Sequence, residues 1–154
     1  MASPADATTF VYVTYIRATP EAVWNALTST EAKMAYWFDM RQESDWTVGA
    51  SWRLLFEDGR VADTGEILEA DRPRRLVISW RNEFRPDMKA EGYSRFVCDI
   101  ETVGQAPATA VKLTITHTMD RPDSRFIGAV TDGWSQILSN LKSLLETGQV
   151  VITR

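Results

Sequence analysis

Residues 123–146 read DSRFIGAVTDGWSQILSNLKSLLE, and this stretch decides the fold. Large apolar residues fall at Ile127, Val130, Trp134, Ile137, Leu138, Leu141, Leu144 and Leu145. Their steps of three, four and one trace a single stripe of an α-helix. Asp132, Ser135, Gln136, Ser139, Asn140, Lys142, Ser143 and Glu146 sit between them as a soluble outer face. Gly148 is placed as the stop, and Asp120, Pro122 and Asp123 suit the start. A helix of about 23 residues is roughly 35 Å long, enough to cross a small domain. Gross burial of the stripe is worth on the order of 10–20 kcal/mol. A surface of matching length must cover it, and the preceding chain offers only strands.

Working backwards, Ala110–Thr118 sets Val111, Leu113, Ile115 and His117 against Lys112, Thr114 and Thr116. Tyr93–Val103 sets Phe96, Cys98 and Ile100 against Arg95, Asp99 and Glu101, and Arg75–Arg81 alternates in the same way. Such alternation describes an antiparallel sheet with one wet face and one buried face. Val61–Ala70, Ser51–Glu57 and Phe38–Glu43 read as further strands, with Asp58-Gly59 and Val48-Gly49 as turns between them. Residues 82–92 form a longer polar connection. Thr9–Arg17 is β-branched and aromatic, a first strand. Thr19-Pro20-Glu21 caps a short helix, and the capping-box spacing of Thr28–Glu31 starts a second one immediately after it. The expected fold class is α+β: a curved antiparallel sheet of about seven strands around a long C-terminal helix. One domain is expected over residues 9–148, with a flexible tail at 1–8 and a C-terminal tail at 149–154.

The 154 residues carry a net charge of −4 and a pI near 5.0, which argues against nucleic acid or an anionic membrane as partner. The basic run Arg72-Pro73-Arg74-Arg75 reads as a solvated turn. No apolar run approaches the roughly 18 residues of a membrane span. Met1–Thr9 lacks the charge and apolar segment of a secretion signal, so a cytoplasmic location is expected. With one cysteine, Cys98, and one histidine, His117, neither an intrachain disulfide nor a transition-metal site is expected. No phosphate-cradling glycine loop is present, and no cofactor is expected.

One helix cannot fill the concave side of a seven-stranded sheet. The remaining volume is either packed by side chains or left as a pocket, and Trp52, Phe56, Trp80, Phe96 and Trp134 are in phase to supply its walls. A packed core and an apolar pocket share this signature. Ile137, Leu138 and Leu141 would be the helix's contribution. His117, in phase with the inner face, is the one candidate acid/base or polar anchor. The stronger reading is a structural strand-end histidine. Cys98 reads as a small apolar filler. Glu66, Arg53 and Arg95 would approach a cavity only if the strands bulge. Gly128 and Gly133, inside the helix, suit either a close approach to the sheet or a kink.

Ile16-Arg17-Ala18-Thr19-Pro20-Glu21-Ala22-Val23-Trp24-Asn25-Ala26-Leu27-Thr28 resembles the opening of the activator of heat-shock protein 90 ATPase homologue family. The Val48-Gly49-Ala50 turn, the stretch from Gly65 to Val77, Leu113–His117, and Gly133-Trp134 with Leu138, Leu141 and Leu145 fit it as well. The resemblance covers roughly residues 9–148 and implies the helix-grip fold of the START/Bet v 1-like (SRPBCC) superfamily. It further implies a cavity between sheet and helix that takes a small hydrophobic molecule, no universal catalytic set, and a role in stress response; the leading expectation is binding without catalysis. Two alternatives go with it: a polyketide-cyclase-like enzyme with His117 as acid/base, and an interaction module forming a homodimer or contacting a chaperone.

Overall fold

The computed structural model describes residues 6–154. In chain order the elements are β1 (Thr8–Ile16), α1 (Pro20–Thr28), α2 (Thr30–Tyr36), β2 (Arg41–Ser44), β3 (Ser51–Leu55) and β4 (Val61–Asp71). They continue as β5 (Arg75–Asn82), α3 (Pro86–Lys89), β6 (Ser94–Gln105), β7 (Ala108–Met119) and α4 (Arg125–Thr147). The strands form one antiparallel sheet in the order β1-β7-β6-β5-β4-β3-β2. The meander runs from β2 to β7, and the first strand closes the far edge. α4 buries Phe126, Ile127, Trp134, Ile137, Leu138 and Leu141. This is the helix-grip arrangement.

The helix ends follow from their caps. Thr19 Oγ1 accepts a hydrogen bond from Ala22 N at 3.1 Å, and Pro20 occupies the first turn of α1. For α2 the cap is Ser29 and not Thr28. Ser29 Oγ accepts from Ala32 N, while the Thr28 hydroxyl donates back to Trp24 O within α1. Ser29 thus ends one helix and starts the next, which makes the corner a single residue.

At α4 the expected start at Asp120–Asp123 moves to Ser124, whose Oγ accepts from Ile127 N. The Glu91 carboxylate, arriving from the β5–β6 connection, accepts from Arg125 N at 2.8 Å and complements the helix dipole. Gly148 ends α4 at φ +81°, its N–H donating to Leu144 O.

Three further expectations change along the chain. β2 begins at Arg41 and not at Phe38, because Phe38 and Asp39 take left-handed φ of +48° and +63°. A bulge between Leu54 and Leu55 breaks the phase of β3, so Leu55 is buried and Phe56 falls beyond the strand, half-buried. The connection after β5 contains the one-turn helix α3.

Asn140, placed by spacing on the soluble face of α4, is fully buried. Its Oδ1 accepts from Val151 N and Ile152 N, and its Nδ2 donates to Ile152 O at 2.9 Å. Residues 149–154 therefore fold back along the helix. The tail expected over 1–8 lies largely outside the described residues, and Thr8 already belongs to β1.

Candidate functional site

The middle of the sheet–helix interface is filled. Trp52, Gly65 and Trp80 stand in one cross-strand row, and over the bare glycine the two indoles meet at 4.3 Å between centroids. Trp80 also touches Phe96, at 5.4 Å, and Trp134, at 5.7 Å, and Phe96 stacks on Trp134 at 5.2 Å. What remains at the centre is a void of about 20 Å³, room for one water molecule and no organic ligand.

His117 belongs to this plug. It is fully buried, with Trp80, Phe96, Phe126 and Trp134 around its ring. Trp134 Nε1–H donates to Nδ1 at 3.1 Å, which places the imidazole proton on Nε2. Nε2–H then donates to Ser94 Oγ at 2.8 Å, and Ser94 Oγ–H donates to Trp80 O. Both ring nitrogens are occupied, and desolvation holds the histidine down at about 3. It is a neutral structural link between α4, β6 and β5. Cys98 is likewise buried in the core, and burial pushes its thiol well above the usual range.

The open space lies at one end of the grip, as a cleft of about 540 Å³. One wall is the first half of α4: Phe126, Ala129, Val130, Gly133, Trp134 and Ile137. The other is the inner face of β3–β5, with Leu54, Ala62, Asp63, Trp80 and Asn82. Trp37, Phe38, Asp39 and Met40 form one lip, and Phe56, Phe84, Arg85 and Met88 the other. Two consecutive non-glycine residues with positive φ, Phe38 and Asp39, shape the first lip, a backbone state that concentrates at ligand clamps. Arg154 reaches the mouth and lies 3.9 Å over the Phe38 ring.

Asp63 is the cleft's unusual group. It stands in a cross-strand row with Leu54 and Asn82 and is 7% exposed. Desolvation pushes its carboxyl up to about 7, the nearby Trp80 N–H pulling the other way and the charge of Glu83 adding to the rise. The Trp80 Nε1–H is itself buried without a partner in hydrogen-bond geometry. A polar group at the floor of an apolar cleft is the usual arrangement for orienting a ligand.

Of the residues read from sequence, Phe56, Trp80, Trp134 and Ile137 border the cleft. Trp52, Phe96, His117, Leu138 and Leu141 lie inside the packed core instead. Arg53, Glu66 and Arg95 are exposed on the outer face, two of them paired, with Glu43 and Glu69. Gly128 and Gly133 permit no close approach, since a Cβ on either meets nothing within 4 Å.

Two groups escaped the sequence reading. Asp63 sits in Ala62-Asp63-Thr64-Gly65, where no apolar alternation marks the inner face; only its register opposite Leu54 does. Lys33 packs 4.7 Å over the Trp37 ring beside the central void, and desolvation drives its ammonium down to about 7. Among the described residues no cluster of three or more histidine, cysteine or acidic side chains could hold a metal, and no helix is long and apolar enough to cross a membrane.

The family model for the activator of Hsp90 ATPase homolog 1-like protein matches residues 17–146. The chain belongs to this family. No curated protein matches it. Among solved structures, a Mesorhizobium loti protein superposes with a TM-score of 0.71 at 23% identity, over 90% of this chain and 96% of that one. The Aha1 dimer from Colwellia psychrerythraea gives 0.72 at 17% identity, over 92% and 98%. An Hsp90 activator from Plasmodium falciparum gives 0.70 at 22%, over 89% and 95%. At these identities the likeness establishes the shared fold. In this member of the family the grip is plugged at its centre and open at one end.

Proposed function

We propose that the protein binds a small apolar or aromatic molecule in the end cleft between α4 and β3–β5, without catalysing its conversion. The observation that carries this is the cleft itself: about 540 Å³, bordered by seven aromatic side chains with one buried carboxyl at its floor. That volume lies within the range of roughly 300–1,000 Å³ typical of small-molecule sites.

Gly133 offers a direct test, because it borders the cleft and a side chain there starts in open space. Titration with the neutral dye Nile red is expected to give a saturable fluorescence rise. Gly133→Leu should weaken it about tenfold or more by occupying the volume, while helix propensity raises stability by roughly 0.5–1 kcal/mol. Absence of saturable dye binding, or undiminished binding in the variant, removes the reading.

A second reading is favoured by a different observation. β1 is an edge strand, and its outer row exposes Val11, Val13 and Tyr15 at 57%, 44% and 53%. Such a row suits pairing with a second copy or with a chaperone surface. Sedimentation velocity over a wide dilution series checks the first of these: a dimer dissociated by Val13→Lys supports it, and a monomer at every concentration counts against it.

A further inference from the structure

We infer that the molecule taken up by the cleft is an organic cation, a protonated amine on an aromatic or apolar body, with the Asp63 carboxylate as its counter-charge. This rests on the binding reading above and specifies the chemistry of the ligand. Asp63 is more than nine-tenths buried, borders the cleft, and takes part in no ion pair among the described residues. The cations nearby are committed elsewhere. Arg81 and Lys89 pair with Glu83, at 2.5 Å and 3.3 Å. Arg85 faces Asp87 at 3.7 Å, and Arg154 donates to Gln136 while stacked on Phe38.

A buried carboxylate without a cation is costly, and a charged partner arriving with the ligand removes that cost. The buried Trp80 N–H beside it favours the ionised form. The walls suit a cation as well. Trp37, Trp80, Phe84 and Trp134 border the same space, and aromatic faces attract ammonium groups. A neutral alcohol of the same shape gains neither term, and an anion meets Asp63 with Glu83 behind it, while Arg85 and Arg154 at the mouth already have partners in Asp87 and Gln136.

Tryptamine, tryptophol and indoleacetate share an indole body and differ in the charge of the side arm, so calorimetry with the full chain separates these cases. At about pH 8 tryptamine is expected to bind at least about tenfold more tightly than tryptophol, with indoleacetate weakest. Asp63→Asn should abolish the preference, bringing tryptamine and tryptophol to the same affinity.

The wild type supplies an independent readout. Tryptamine stays protonated throughout, so as pH falls below about 7 its advantage should shrink with protonation of Asp63, by up to about tenfold per unit. Of the other charged groups facing the site, Glu83 is held below the usual range by Arg81, and Arg85, Arg154 and Asp39, at the mouth, are present alike in the wild type and in Asp63→Asn. Equal affinity for amine and alcohol, or a preference that survives Asp63→Asn, overturns the cation inference and leaves the cleft as a binding site. Nile red binding with no indole bound overturns it too, and failure of every probe overturns both readings.

Discussion

Asp63→Asn is expected to gain stability over the wild type as pH rises, the gap widening by on the order of 4 kcal/mol between about pH 4 and about pH 8. The sign follows from the proton count. Desolvation raises the folded carboxyl from 3.8 to about 7, so between those values the native state holds a proton that the unfolded chain has lost. The Asp63 contribution to stability must therefore fall with rising pH through that window, at about 1.4 kcal/mol per unit. Asparagine mimics the neutral acid and has nothing to lose.

His117 slopes the other way. Buried neutral and held at about 3, it lowers stability as pH falls from about 6.5 to about 3. That slope is common to both proteins and cancels in the difference, as does the burial of Lys33. Urea unfolding of the two proteins across a pH series measures the gap directly. A gap that stays flat would mean that Asp63 is solvated or paired, and it would remove the physical basis for reading the carboxyl as a ligand anchor. A gap that widens identifies a group kept at the expense of stability, which is where binding sites are found.

The sequence made the architecture legible because its two periods are clean. The three-and-four stripe of α4 and the alternation of β5, β6 and β7 each depend on burial of one face, and burial is what hydrophobic spacing records. The cleft was less legible, for three local reasons. The bulge at Leu54/Leu55 moved Phe56 out of the core row and onto the lip, and a one-residue slip in a strand leaves no mark in composition. Asp63 faces inward only through its partners on β3 and β5. Asn140 looked like a surface residue because nothing in α4 reveals that residues 151–152 return to bond with it. Trp52, Trp80, Phe96 and Trp134, in phase with the inner face, meet one another, but spacing could not tell interlocked rings from walls. That distinction lies in the 4.3 Å approach of Trp52 and Trp80.

The same approach depends on a glycine, and Gly65→Ala is expected to cost about 3 kcal/mol or more of folding stability. A Cβ built on Gly65 lies 1.6 Å from the carbonyl oxygen of Ser79 and 2.7 Å from its carbon, both backbone atoms of the paired strand. No rotamer change relieves such a contact; β4 and β5 must separate. The Ser79 hydroxyl accepts from Glu66 N beside this point at 2.9 Å, so separation loses that bond as well. It also parts the strands that carry Trp52 and Trp80 on either side of β4, loosening the plug against which Phe96, His117 and Trp134 are packed. For a chain of this length each kcal/mol shifts the melting temperature by roughly 2–4 °C, so a fall of about 6–12 °C is the expected reading in a thermal melt. Asp63 and Trp80 lie on the two displaced strands, so tryptamine affinity should fall along with stability. Gly128→Ala, whose new methyl meets nothing within 4 Å in α4, is the control expected to melt no lower than the wild type. A Gly65→Ala protein with unchanged melting would show that β4 and β5 yield at this point, and that the centre of the grip is not the fixed plug on which the end cleft is built.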